Sequence, residues 1–439
     1  MTDRDKVLYA GLYSGGDVLR WDLLDSSLYP DSSANAAPTC AIATPSASFE
    51  AVIGVETEVT GTWSDPEGQS CTVEVYLGAT KLGDATVGAG TWTYAWTPTA
   101  EQVGTASLTA VVTDPSEATG TSSAVVGSVL PTPIVVTLTS PANLFTVVAG
   151  TAKTFAGAVT GASAVELWGS LNGSASSKIG DCTVVGSDWS YDWTATDEQV
   201  GTWTDVQAKA GDATSSSIEG WVSPSGLVFA IESDRGITLV DDNVTLWSDQ
   251  SGLGNHASQS TPGLCPVVQT NPLNDLPGLY FDGTKYMVLG NPASLRCGEM
   301  TEIIVTTCTN SSGYHAPGIN GTATNYDMYC GPGVPNVILN RTSQLAANSG
   351  SFSVNTLRCI GWTTSAAGDS TIFNKTTAVG GPTATGAPTA SANKYLGTRG
   401  DLFTRAYGYV HAVLVFNRAL TAPEYASVVA YLGRWGTFA

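Results

Sequence analysis

The chain has 439 residues, enough for about three domains at roughly 150 residues each. It carries 38 acidic against 18 basic side chains, a formal net charge of −20, and that field repels phosphate backbones and anionic membrane surfaces, which argues against nucleic acid as a partner. Only 13% of residues are charged, and 48 glycines stand among many Thr, Ser and Val, so the composition lacks the stock of helix formers and an all-β fold class is expected.

Residues 1–37 read as an anchoring segment. The opening MTDRDKVLYAGLYSGGD has no basic stretch leading into an apolar run, so synthesis and folding in a cytoplasm are expected. No run approaches the roughly 18 apolar residues a membrane helix needs, so no membrane insertion is expected. Val7 to Tyr13 and Val18 to Leu24 are candidate strands joined by the turn Ser14-Gly15-Gly16-Asp17, a β-hairpin pattern. A lone hairpin is marginal in water, and this one bears Tyr9, Tyr13, Leu19, Trp21 and Leu23 without a core of its own. Those five side chains are therefore expected to pack on a partner, either the neighbouring domain or another subunit. Asp25 to Pro38 follows as a polar linker.

Two internal repeats come next, over 38–130 and 131–223. Lys81-Leu82-Gly83-Asp84 recurs as Lys178-Ile179-Gly180-Asp181, Trp92-Thr93-Tyr94-Ala95-Trp96 as Trp189-Ser190-Tyr191-Asp192-Trp193, and Glu101-Gln102-Val103-Gly104-Thr105 recurs intact from Glu198 to Thr202. A period of this length with short alternating segments predicts a β-sandwich per repeat. With Thr62-Trp63-Ser64-Asp65-Pro66-Glu67-Gly68 before the first set, the pattern resembles bacterial and phage immunoglobulin-like modules, over roughly 38–127 and more weakly over 134–222. The resemblance implies spacer or interaction domains whose aromatic side chains form cores. Pro131 and Pro133, and then Ser223 to Gly226, predict short semi-rigid linkers and a rod-like arrangement.

The remainder, 224–439, changes character. Leu246-Trp247-Ser248-Asp249-Gln250-Ser251-Gly252-Leu253-Gly254-Asn255-His256 is followed by Leu279-Tyr280-Phe281-Asp282-Gly283 and, near the end, by Ala412 to Thr421. This order resembles the laminin-G/concanavalin-A-like superfamily, which implies a jelly-roll sandwich of the kind found in lectins, adhesins and phage structural proteins. A closing helix is derived independently. Thr421 and Glu424 form a capping box, Tyr425, Val428, Val429 and Leu432 make one apolar face, and Gly433 stands where the helix should stop.

Candidate chemistry is sparse. A retaining glycosidase needs two carboxylates about 5 Å apart, but Glu299 and Glu302 would point to opposite sides of a strand and Glu424 belongs to the cap. His256, His315 and His411 fall in no hydrolase motif. Trp247, Asp249, Asn255 and Asp282 are the candidate ligand-binding residues: as oxygen-bearing loop residues the last three suit a calcium ion or glycan on the sandwich rim, or serve as turn formers that bond nearby amides. Asp241-Asp242 is a similar, weaker case. Arg399-Gly400-Asp401 is short enough to arise by chance. Of the eight cysteines, Cys182 stands alone in its repeat, which favours reduced thiols, though Cys40 and Cys71 could pair in an oxidising medium; no metal site is expected.

Together these features predict a non-enzymatic protein that resembles a bacteriophage virion component: a head fibre, capsid decoration or tail-associated adhesin. The N-terminal hairpin would hold a capsid or tail protein, and the last domain would meet solvent or a host glycan. Homo-oligomers are compatible with such a role. The alternatives are a specific glycan-binding receptor adhesin, a polysaccharide-degrading enzyme, or a bacterial surface protein.

Overall fold

The structure, a computed structural model, describes residues 35–439 except 297, 311–316, 321–326, 332–333, 341–344, 349–353, 385–392 and 399–404; of the side chains in 320–353 it describes none. The hairpin with Tyr9, Tyr13, Leu19, Trp21 and Leu23, as well as His315 and Arg399-Gly400-Asp401, lies outside the described residues. The chain forms two compact units, Met1–Pro133 and Ile134–Ala439.

The first unit contains an immunoglobulin-like sandwich. One sheet orders the strands Thr39–Thr44, Thr57–Ser64, Thr91–Trp96 and Thr86–Val87; the other orders Glu50–Val52, Val125–Leu130, Gly104–Thr113, Thr72–Leu77 and Thr80–Asp84, with Thr119–Thr121 added beside Gly104–Thr113. The alternation Ala106, Leu108, Ala110 and Val112 along one strand meets Val73, Val75, Trp92 and Trp96 in the core. In the second unit, residues 135–223 repeat the same strand order.

The repeated residues turn out to be the fastenings of each sandwich. Trp92 lies across Gly61, its partner in the strand pairing, and Trp189 lies likewise across Gly157. Tyr94 covers Gly83 and donates its hydroxyl to Leu82 O at 2.8 Å, while Tyr191 covers Gly180. Trp96 Nε1 and the Thr99 amide both donate to Gln102 Oε1, at 3.2 and 2.9 Å, and Trp193 and Thr196 use Gln199 in the same way. The recurring Lys bridges two acids in each copy: Lys81 meets Glu74 and Asp84, and Lys178 meets Glu166 and Asp181. A Cβ on Gly61 would stand 2.1 Å from Ala41 O and 2.4 Å from the Trp92 ring. Gly61→Ala and Gly157→Ala should therefore each destabilise their own sandwich by about 1–3 kcal/mol through overpacking, measured by urea unfolding of the intact chain; unchanged midpoints in both would contradict the fit.

The rest of the second unit is a larger β-sandwich closed by a helix. Its central strand, Tyr407–Phe416, pairs along one side with Met300–Cys308 and along the other with Leu276–Asp282 at one end and Leu227–Glu232 at the other. One face of this sheet packs inside the sandwich with Phe229, Trp247, Phe281, Ile304, Trp362 and Val413. The other face carries Ile303, Leu414 and Phe416 against Tyr425, Val428 and Leu432 of the helix Ala422–Leu432. With both faces covered, these strands are buried at nearly every position instead of alternating, their threonines, Glu302 and His411 included. The all-β class expected from the composition is observed, with two immunoglobulin-like sandwiches, a larger sandwich and, among the described residues, one short α-helix.

The helix begins as its capping box requires: Glu424 Oε2 accepts the Thr421 amide at 2.8 Å and the Thr421 hydroxyl at 2.7 Å. The α-helix ends where expected, at Leu432 with Gly433 as its C-cap. That glycine remains right-handed, and the backbone runs on into the 3-10 turn Gly433–Trp435; the left-handed exit falls at Gly436, with φ of 124°. Burial of Trp435 explains the extra turn, because the chain must stay wound to seat that ring.

Candidate functional site

The rim residues singled out from the sequence are structural in geometry. Trp247 is 0% exposed and donates Nε1–H to Glu232 O at 3.0 Å, so it offers no face to a ligand. That corrects its reading as a ligand-binding residue: the strand Asn243–Trp247 turns this ring inward, towards Phe229 and Phe281. Asp249 Oδ1 accepts the amides of Ala230 and Ser251, both at 2.9 Å, and Oδ2 accepts the Ser251 hydroxyl at 2.7 Å and the Asn255 amide at 3.0 Å. Asn255 is buried and donates Nδ2–H to Val228 O at 2.6 Å. These two side chains pin the loop to the strand Leu227–Glu232, and their oxygens are occupied by backbone amides and by the Ser251 and Ser294 hydroxyls. Asp282 stands exposed at a turn elsewhere, where Oδ1 accepts the Thr284 amide at 2.9 Å. Asp241 and Asp242 occupy the hairpin tip with φ of 48° and 63°. Among the described residues no three His, Cys, Asp or Glu side chains converge to hold a metal ion.

The two buried glutamates of the larger sandwich are separated by the fold. Glu302 is buried on the inner face of the central sheet, where its carboxylate accepts the Ile319 amide at 2.7 Å and Trp362 Nε1–H at 3.0 Å. Glu232 is buried on the opposite face: its strand partner is Ala412, which packs under the helix, whereas the partner of Glu302 is Val415, which packs inside the sandwich. A sheet lies between the two carboxylates, so they cannot flank one bond.

Glu232 is the centre of a dense polar cluster. It is 1% exposed, accepts the Tyr431 hydroxyl at 2.9 and 2.8 Å on its two oxygens, and pairs with both Arg235 and Arg434. Burial alone would raise its pKa, but the two guanidinium charges outweigh it and hold the carboxyl below its usual range. Arg434 also reaches Asp234 at 2.6 Å. Above this cluster the Tyr431 ring stacks on Trp221, with centroids 4.3 Å apart and planes 5° apart. Trp221 belongs to the strand Ile218–Ser223 of the second immunoglobulin-like sandwich, and Tyr431 to the terminal helix. Beside them Arg418 donates to Ser225 O at 3.0 Å and to Glu424 at 2.9 Å, tying the connecting segment to the helix cap. The semi-rigid linker expected at Ser223–Gly226 is thus a packed junction. Nothing in the repeat pattern announces it, except that Trp221 follows Gly220 where the first copy has Ser128 after Gly127; both glycines lie beneath a phenylalanine ring.

The histidines divide similarly. His411 is 0% exposed; its Nδ1 lies 2.9 Å from Pro277 O and its Nε2 2.9 Å from Asn271 Nδ2, which fits a neutral ring donating from Nδ1. Burial lowers its pKa to about 4. Because the folded pKa lies below the ordinary 6.5, this group's contribution is complete above pH 6.5 and is lost as pH falls towards 4, by about 3 kcal/mol in all. Chemical unfolding between pH 7 and 4.5 should show this slope, and His411→Gln should flatten it; an identical slope in the variant would contradict the assignment. His256, in contrast, is exposed, and its Nδ1 accepts the Asp249 amide at 3.0 Å. The six described cysteines are free thiols, Cys40 and Cys71 included.

The fold defines an all-β protein with immunoglobulin-like sandwiches. Residues 38–110 match a family model described as a bacterial Ig domain. No curated protein matches the chain. Among solved structures, the fibronectin(III)-like modules of Clostridium thermocellum CbhA are 21% identical with a TM-score of 0.19, over 43% of this chain and 95% of theirs. Domain 4 of AbnA, an extracellular arabinanase from Geobacillus stearothermophilus solved with arabinotriose, is 11% identical with a TM-score of 0.36, over 46% of this chain and 98% of that one. Trypanosoma rangeli sialidase in complex with sialic acid is 12% identical with a TM-score of 0.35, over 87% and 69%.

Proposed function

We propose that the chain is a non-enzymatic structural protein displayed on the surface of a bacteriophage particle, held by residues 1–24 and exposing its immunoglobulin-like and lectin-like, laminin-G/concanavalin-A-like sandwiches for weak adhesion to the host. The observation that supports a scaffold over a catalyst is the placement of the buried acids. Glu232 and Glu302 are bound into opposite faces of one sheet, and Asp249 is bound into a loop. Each stabilises the fold, and none faces an open cleft with a second carboxylate. The packed junction around Trp221 suits the same role, because a displayed head gains from domains that do not swing apart.

The test removes residues 1–24 and measures copies of the chain on purified particles. Loss of attachment with the remaining domains folded is the expected result. Full occupancy by the truncated chain would overturn the anchoring role.

A further inference from the structure

The junction between the second immunoglobulin-like sandwich and the terminal sandwich holds more buried hydrogen-bond donors than acceptors. Trp221 and Trp435 are 1% and 2% exposed, and the indole N–H of each has no hydrogen-bond partner among the described residues. The same holds for the buried Nε–H of Arg235 and of Arg434 and for the buried hydroxyl of Thr146. These groups are neighbours. Thr146 stands opposite Trp221 in the strand pairing, so both side chains leave the same face of the sheet. The Trp221 ring stacks on Tyr431 at 4.3 Å, and Arg235 donates through a terminal nitrogen to the Tyr431 hydroxyl at 2.7 Å. The Arg434 guanidinium lies 5.0 Å from the Tyr431 ring and 4.7 Å from that of Trp435. The carboxylates at hand are engaged: both oxygens of Glu232 and both of Asp234 already accept from Tyr431, Arg235 or Arg434.

Buried donors without acceptors are rare, because each forfeits its hydration for nothing. A water would accept from two of them and bring two hydrogens of its own into a site that has no acceptor to spare. A small anion accepts from several donors at once and donates to none. The two carboxylates already balance the two guanidinium charges, so N–H and O–H dipoles would hold such an ion, and weakly. We propose that this junction binds one small inorganic anion of the halide class. Trp221 N–H and the Thr146 hydroxyl hold it from the immunoglobulin-like side, and the Nε–H groups of Arg235 and Arg434 hold it from the terminal sandwich. The ion is a second tie between the two domains beside the ring stack, and it stands independently of the display reading.

Chloride is the probe. The intact chain is to be unfolded in urea at a fixed ionic strength of about 0.5 M, where repulsion from its net charge is screened, with sodium gluconate replaced stepwise by sodium chloride. The midpoint of the second unit is expected to rise with chloride and level off, half of the rise falling on the order of 10–100 mM. The chloride NMR line should broaden in the presence of the folded chain, and bromide should reverse the broadening. Trp221→Phe keeps a ring against Tyr431 without the N–H, and Thr146→Val keeps the side-chain shape without the hydroxyl. Each is expected to cut the excess broadening about threefold or more, as loss of one hydrogen bond implies. If Trp221→Phe fails to fold, Thr146→Val gives the same reading. A midpoint indifferent to the exchange of gluconate for chloride, or broadening that persists unchanged in a folded variant, would overturn the inference.

Discussion

Replacing Glu232 with alanine should destabilise the second compact unit by about 3–5 kcal/mol, the cost of leaving buried charges without their counter-ion. Two guanidinium groups, Arg235 and Arg434, converge on this carboxylate, and the Tyr431 hydroxyl donates to it as well. Removing the anion strands the buried Arg235, while Arg434, at the edge of the cluster, keeps only Asp234 as its counter-ion. Exchanging Glu232, Arg235 and Arg434 together for methionine should recover most of the loss, since a buried ionic cluster contributes little over well-packed apolar groups of similar volume. Denaturant unfolding of the intact chain checks both statements. A Glu232→Ala variant within about 1 kcal/mol of the wild type would mean that water or rearrangement satisfies the arginines.

Trp221→Ala should have an effect of similar size, about 3–5 kcal/mol, because it removes a large aromatic ring that packs with Tyr431, Leu227 and Trp435. Its consequence is also qualitative. The second immunoglobulin-like sandwich has its own core around Trp189, Trp193 and Trp203, and the larger sandwich has its own around Trp247 and Trp362. With the Trp221 stack present, the two should unfold together. Without it, calorimetry should resolve a separate transition for each. A single transition of unchanged temperature in the variant would show that the stack does not couple them.

Much of the local architecture was readable from the chain because it rests on residues close in sequence. The WxYxW motif, the Gly beneath each ring and the Gln that receives the tryptophan N–H lie within about 45 residues of one another in each copy. The same holds for Thr421 and Glu424, whose spacing alone specifies the cap. The misreadings concern residues whose partners are remote. Trp247 sits among Asp, Asn and Gly in a loop-like stretch, yet its ring points into the core because the strand before it is paired on both sides. Glu232 meets Arg434 and Tyr431 about 200 positions away, a distance at which side-chain patterning carries no information. The junction at Ser223–Gly226 read as a linker for the same reason: Pro and Gly mark a bend, and only the packing of Trp221 shows the bend to be closed.

The display role turns on whether the chain is a resident of the particle. Quantitative mass spectrometry of gradient-purified virions tests this most directly. The account predicts the intact chain at a fixed ratio to the major capsid or tail protein, unchanged through repeated banding. Recovery of the chain only in the soluble lysate, with none sedimenting with the particles, would contradict it.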